Sequence, residues 1–167
     1  MEVSNIMEKE VYFVTTAADV AETMRYMVDK NISGVPILDE AHRLAGFVSD
    51  GDLMAYLFKL GKRHDPLFAE SLAALTDHDL EKNKALTEEL QNTKVLSLAT
   101  RKVITVQEHD TCEEACRFLG KKQIKKMPVV DTDNRVVGVL SRSTVVRYLY
   151  DYLTGQAAHG TDEASTN

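Results

Sequence analysis

Ile32-Ser33-Gly34-Val35-Pro36-Ile37-Leu38-Asp39 and Ile124-Lys125-Lys126-Met127-Pro128-Val129-Val130-Asp131 are two versions of one phrase, 92 positions apart. In each, a short apolar run carries a proline near its start and closes on an aspartate. That pattern reads as a buried strand leading into a turn, because proline is admitted only near a strand's start or at a sheet edge. Sliding the sequence on itself by the same 92 positions aligns residues 12–57 with 104–149 without a gap. Self-similarity at a fixed period marks a repeated structural unit. The identical pairs include Pro36/Pro128, Asp39/Asp131, Arg43/Arg135, Gly46/Gly138 and Ser49/Ser141, the residue types that make turns and helix starts.

Working outward within copy one, Tyr12 to Val14 is β-prone. Asp19 is placed to cap a helix whose Val20, Met24, Met27 and Val28 share a face, and that helix ends near Asn31. Val35 to Leu38 follows as a strand, Asp39 to Arg43 as a hairpin turn, and Leu44 to Val48 as the return strand. Ser49 then caps a second helix bearing Leu53, Met54 and Leu57. Copy two repeats the order with Val103 to Val106, Cys112 to Lys122, Met127 to Val130, Val136 to Leu140 and Ser143 to Tyr152. The expected fold class is therefore α/β (α+β), as two pseudo-symmetric β-α-β-β-α modules. Neither module has enough surface to bury a three-stranded sheet alone, so the two are expected to pack through their sheets. The boundaries read 1–58 for module one, 59–92 for a helical insert, 93–154 for module two and 155–167 for a disordered tail. His64-Asp65-Pro66 punctuates the insert, and Asp77 is placed to cap its second helix. The insert is expected to stack on the modules or to make dimer contacts.

Composition bounds the function. Hydrophobic residues at 44% and charged residues at 28% describe a globular chain. The net charge of −6 opposes a phosphate backbone, so nucleic acid is not an expected partner. No apolar run approaches the ~18 residues of a membrane span, and the N-terminus lacks a signal-peptide core. The expectation is a cytoplasmic protein without a membrane partner. Cys112 and Cys116 share a helix face and read as reduced core residues rather than metal ligands.

Together with Gly46-Phe47-Val48-Ser49-Asp50-Gly51-Asp52-Leu53 and Gly138-Val139-Leu140-Ser141-Arg142, the two quoted phrases closely resemble the signature of cystathionine-β-synthase (CBS) domains. Val3-Ser4-Asn5-Ile6-Met7 looks like the segment that introduces such a module, and Val95-Leu96-Ser97-Leu98-Ala99 stands at the matching place before copy two. The resemblance spans about 140 residues. It implies a pair of domains forming a disc-like unit that binds adenosine nucleotides, homodimerises and regulates a separate partner.

The residues allow two readings of Ser49 and Asp52. One is a helix cap, with the hydroxyl and the carboxylate satisfying backbone N–H groups. The other uses the same geometry to present a carboxylate to the two hydroxyls of a ribose, through charge-assisted hydrogen bonds of about 1.5 to 3 kcal/mol each when shielded. By analogy with the family, Val14, Thr15, Ser33, Gly34, Val35 and Pro36 would line an adenine slot, although Val14 and Val35 are equally good core residues. Lys125 and Lys126, where such pairs place basic residues, would meet phosphates, with Arg142 a further candidate. Lys121 and Lys122 are explained by the helix dipole alone. Copy two carries Thr144 where copy one has Asp52, and copy one carries Ser33-Gly34 where copy two has Lys125-Lys126. One competent site per chain is expected, with the position near Thr144 degenerate.

Enzymatic signatures fail. Phe47 stands where a nucleophile elbow needs glycine, no phosphate-binding glycine loop is present, and the five histidines form no repeat-related pair. The expected function is an adenosine-nucleotide sensor with AMP, ADP or ATP as ligand, NAD and S-adenosylmethionine remaining open, and with no required cofactor. The alternative is a nucleotide-independent interaction scaffold.

Overall fold

The computed structural model describes residues 1–64, 80–121 and 124–155. In the first repeat the chain forms β1 (Val14–Thr15), α1 (Val20–Lys30), β2 (Gly34–Leu38), β3 (Leu44–Ser49) and α2 (Asp50–His64), followed by α3 (Leu80–Asn92). In the second it forms β4 (Val106–Gln107), α4 (Cys112–Leu119), β5 (Lys126–Val130), β6 (Val136–Ser141) and α5 (Arg142–Leu153). The β-α-β-β-α order of each module is as the repeat implies. Each module builds a three-stranded sheet, β1-β2-β3 and β4-β5-β6, whose first pair is parallel and second antiparallel.

Local chemistry sets the boundaries. Asp19 Oδ1 accepts the Glu22 N–H at 2.8 Å and the Glu22 carboxylate reaches back to the Asp19 N–H, a full capping box for α1. Asn31 ends that helix in the left-handed conformation at φ 51°. The hairpins are built alike. Asp39 Oδ1 accepts the N–H groups of Ala41 and Arg43, Asp131 Oδ1 those of Asp133 and Arg135, and His42 and Asn134 take positive φ.

The second helix of copy one runs from Asp50 to His64, across the expected module boundary at residue 58, with Leu60 buried one turn beyond Leu57. Within the insert, α3 packs on α1 and α2, Leu90 joins the first module's core, and Arg63 pairs with Glu89 at 3.0 Å. The expected cap at Asp77, residue Lys122 and the tail from residue 156 lie outside the described residues.

The compact units do not follow the repeat boundaries. One comprises Met1–Val11 and Ile104–Asn167, the other Tyr12–Val103. The leading segments are exchanged. Val3, in a 3-10 turn, is fully buried with Val106, Ala115, Leu119, Met127, Val129 and Leu140, whereas Val95, its repeat equivalent, is fully buried with Val14, Val20, Val35, Ile37 and Val48. The backbone repeats the relation. Val3 N–H donates to Asp110 O at 2.9 Å and Val95 N–H to Ala18 O at 3.1 Å. Further along, Glu8 bridges the outer edge of β6 at Val139, and Thr100 bridges β3 at Phe47.

Glycine makes this bridge possible. A Cβ at Gly46 would stand 3.2 to 3.3 Å from Ala99, Leu96 and the Thr100 carbonyl, and one at Gly138 would strike the Met7 side chain. Gly138→Ala should therefore cost about 1 to 3 kcal/mol in urea unfolding by displacing the leading segment. Gly51→Ala, whose Cβ meets nothing nearer than 3.6 Å, should be neutral or stabilising by about 0.4 to 1 kcal/mol.

An exposed ion pair also holds the leading segment. Glu2 Oε2 lies 3.1 Å from His109 Nδ1; this hydrogen bond raises the imidazole pKa above its ordinary value and lowers that of Glu2. A raised histidine contributes stability that is fully present below its ordinary pKa of about 6.5 and lost as pH rises through the folded value. A lowered glutamate contributes above its ordinary pKa of about 4.3, and its share is lost as pH falls through the folded value. The clamp is thus strongest between those two ordinary values. The NMR titration midpoint of His109 should fall when Glu2→Gln is introduced, and an unchanged midpoint would show the pair to be silent.

Candidate functional site

Gly34 lies directly opposite Ser49 in the β2–β3 ladder, and the Asp50 N–H donates to the Ser33 carbonyl at 2.9 Å. The start of β2 and the start of α2 are thereby joined at one end of the sheet. Gly34 is needed there, since a Cβ would stand 2.9 Å from the Phe47 ring. Asp52, in the first turn of α2, points back onto this junction. Its Oδ2 accepts the Ser49 N–H at 2.8 Å and the Ser49 hydroxyl at 2.7 Å, while the Asp52 N–H approaches Ser49 Oγ at 3.3 Å. Both hydrogen bonds recorded on the carboxylate end on one oxygen. The side chain is half-buried, held in a single orientation, and sits at a helix N-terminus that favours its charge.

Ser33, Gly34, Ser49 and Asp52 are brought together. Val14 and Thr15 are not part of that junction: they pair with Ile37 and Leu38, about 10 Å along β2 from Gly34. Val14 and Val35 pack in the core and Pro36 is fully buried; Thr15 and Ser33 are exposed. An apolar groove lined by Met24, Val28, Leu53 and Met54 also touches Ser33 and Asp50, but Asp52 is not among its walls.

The second module has the same skeleton with different groups. Lys126 opens β5 opposite Ser141, and the Arg142 N–H donates to the Lys125 carbonyl at 3.0 Å, as Asp50 does to Ser33. Lys125 is exposed and Lys126 half-buried. The Arg142 guanidinium is engaged locally. Its Nε donates to Leu119 O at 2.7 Å and a terminal nitrogen to Lys121 O, so it caps the C-terminal end of α4.

At the position matching Asp52, the Thr144 N–H donates to Ser141 Oγ at 3.1 Å, and Thr144 Oγ1 donates to Glu8 Oε1 at 2.6 Å. The sequence reading foresaw no carboxylate here. The leading segment supplies one. Glu8 directly follows residues 3–7 of that segment and aligns with Thr100 in the 92-residue register. Among the described residues no cluster of three metal-ligating side chains occurs, and no helix is long and apolar enough to cross a membrane.

The model of the CBS domain matches residues 3–59 and again residues 95–151. The chain belongs to the CBS-domain family. Each matched region begins in a leading segment that packs in the opposite module, so a family domain and a compact unit differ in this CBS pair. It is 30% identical over 145 residues to the chloroplastic CBS domain-containing protein CBSX1 of Arabidopsis thaliana, covering 84% of this chain and 59% of that protein. CBSX2 of the same plant is 29% identical, with 83% and 58% covered, so the chain spans just under three fifths of these two relatives. MJ1426 of Methanocaldococcus jannaschii is 28% identical over 155 residues, covering 89% of this chain and 91% of its own. Among solved structures, CBSX2 in complex with AMP superposes with a TM-score of 0.68 at 25% identity, covering 91% of this chain and 98% of that one.

Removing the cap chemistry should register without any ligand. Asp52→Ala is expected to cost about 0.5 to 2 kcal/mol in thermal or urea unfolding, because the Ser49 N–H loses its acceptor. Arg142→Met should likewise destabilise, as the carbonyls of Leu119 and Lys121 lose their donors.

Proposed function

We propose that this CBS pair is a regulatory sensor of adenosine nucleotides, with a site anchored by Asp52. The observation that carries the reading is the Asp52 carboxylate itself: Ser49 fixes it from two sides through one oxygen, leaving it oriented at the end of the sheet beside Ser33 and Gly34. A ribose diol is the ligand group that two adjacent hydroxyl donors make complementary to such a carboxylate. The crystal structure of CBSX2 in complex with AMP supports AMP as the first ligand to test. Lys125 and Lys126 stand as the proposed phosphate contacts, and Thr15 as a lining residue, on the family resemblance. Arg142 is the weaker candidate because its guanidinium already serves two carbonyls.

In this reading the protein is not an enzyme. It acts in the cytoplasm on a separate partner, through differential ligand affinity for two states. Self-association is proposed through the α1–α2 face, where Val28 and Met54 are 77% and 61% exposed beside an apolar groove. The same exposed face, and the sufficiency of Asp52 as a helix cap, favour the second reading, a scaffold that needs no nucleotide.

Thermal denaturation with AMP, ADP, ATP, NAD and S-adenosylmethionine separates the two. A ligand at 100 times its Kd adds about 2.7 kcal/mol, a rise of roughly 5 to 10 °C for a chain of this size. Asp52→Asn should abolish the rise while changing the unliganded melt little. No shift with any of the five would reject the sensor and leave the scaffold.

A further inference from the structure

The two modules differ where β4 meets the second hairpin. A cavity of about 460 Å³ opens there, walled by Thr105, Gln107, Asp110, Asp131, Thr132 and Asn134. β5 runs from Lys126, paired with Ser141, to Val130, paired with Val136, and the cavity sits at the Val130 end, about 13 Å along the strand from Lys126. Nothing about it depends on Asp52 or on the cap of α5.

The repeat explains why this space is open. Thr105 and Asn134 align with Phe13 and His42, whose rings meet edge to face with centroids 5.9 Å apart in the first module. His42 and Asn134 share one backbone conformation, φ 60° and 62°, so their side chains leave the two hairpins from matching points. The first module fills the volume with two rings. The second puts a hydroxyl and an amide in their place. A further exchange adds charge, since Asp110 stands where the first module has Ala18.

Among the described residues the walls hold two carboxylates and no basic side chain. Each carboxylate is oriented through one oxygen. Asp110 Oδ2 accepts the Gln107 N–H at 2.7 Å, and Asp131 Oδ1 accepts those of Asp133 and Arg135 at 2.9 and 2.8 Å. Oriented anions in a recess favour a cation, and a primary ammonium group brings three donors that two carboxylates can share. A bare metal ion fits less well, because among the described residues no three metal-ligating side chains cluster. The volume falls within the range of about 300 to 1,000 Å³ usual for small-molecule sites. We propose that this cavity binds a small hydroxylated primary amine, its ammonium group held by Asp110 and Asp131 and its hydroxyls by Thr105, Gln107 and Thr132.

The test titrates the full chain with protonated glucosamine and with glucose, which match in size and differ in one ammonium group, and follows backbone amide shifts by NMR. Glucosamine should move the amides of Thr105, Gln107 and Asn134 saturably, about tenfold or more tightly than glucose, and should weaken as salt is added. Asp110→Asn, which keeps an acceptor for the Gln107 N–H, should remove the preference for glucosamine. Thr105→Phe combined with Asn134→His rebuilds the first module's ring pair in the second and should abolish binding, with the melting transition reporting that the variant folds. Asp52→Asn should leave the titration unchanged. No saturable shift with glucosamine overturns the site, and equal affinity for the two sugars overturns the ammonium contact. Binding that survives the folded ring-pair variant overturns the cavity as its place; should that variant not fold, an Asp110→Asn chain that still prefers glucosamine overturns the proposal.

Discussion

Two valines, each buried in the module that its own repeat does not build, organise this molecule. Val3 and Val95 are fully inaccessible, and burying such a side chain is worth about 1.5 to 3 kcal/mol. Around each, a 3-10 turn docks on the start of a module, and the next few residues add an antiparallel bridge to an otherwise open sheet edge. Gly46 and Gly138 lie under that bridge, where a Cβ would press on Ala99, Leu96 and the Thr100 carbonyl or displace the Met7 side chain. Edge protection, core filling and the placement of Glu8 and Thr100 all follow from the docking.

The same economy appears at the helix starts. At the start of α2, Ser49 and Asp52 satisfy each other's backbone N–H groups, and at the start of α5 the Ser141 hydroxyl accepts the Thr144 N–H. In α2 the second member is a carboxylate, so the cap leaves charge at the sheet end. Stability and recognition draw on one pair of residues, which explains why Ser49 and Asp52 alone could not decide between them. Arg142 illustrates the opposite outcome. Its charge is consumed by the exposed carbonyls at the end of α4, where Gly120 supplies no side chain to meet them.

Much of this was legible in the residues. The element order, the hairpins at Asp39 and Asp131, the cap at Asp19 and the helix end near Asn31 are local events, written in side chains that satisfy nearby backbone groups. The continuation of α2 to His64 follows from Leu60, which extends the helix's apolar face past the repeated stretch. The exchange was invisible for a different reason. Val3 and Val95 fit either module by hydrophobicity, and only three-dimensional packing decides which core receives them. For the candidate site, the ladder register joins Ser33, Gly34, Ser49 and Asp52 at one sheet end, whereas Val14 and Val35 pack in the core and Pro36 is buried in the middle of the central strand. Glu8 lies one residue beyond the matched segments 3–7 and 95–99, and its contact with Thr144 bridges 136 positions that no local pattern links.

The exchange also constrains how such a chain can have arisen. A single ancestral copy, ending after its last helix, would have held a leading segment with no core of its own to enter. Two separate copies could complete each other only by reciprocal donation, as a domain-swapped homodimer. Within one chain the two donations are intramolecular, so their effective concentration is set by the connecting chain rather than by protein concentration. Once joined, the halves no longer had to be identical, and residues facing each other across one junction were free to trade roles.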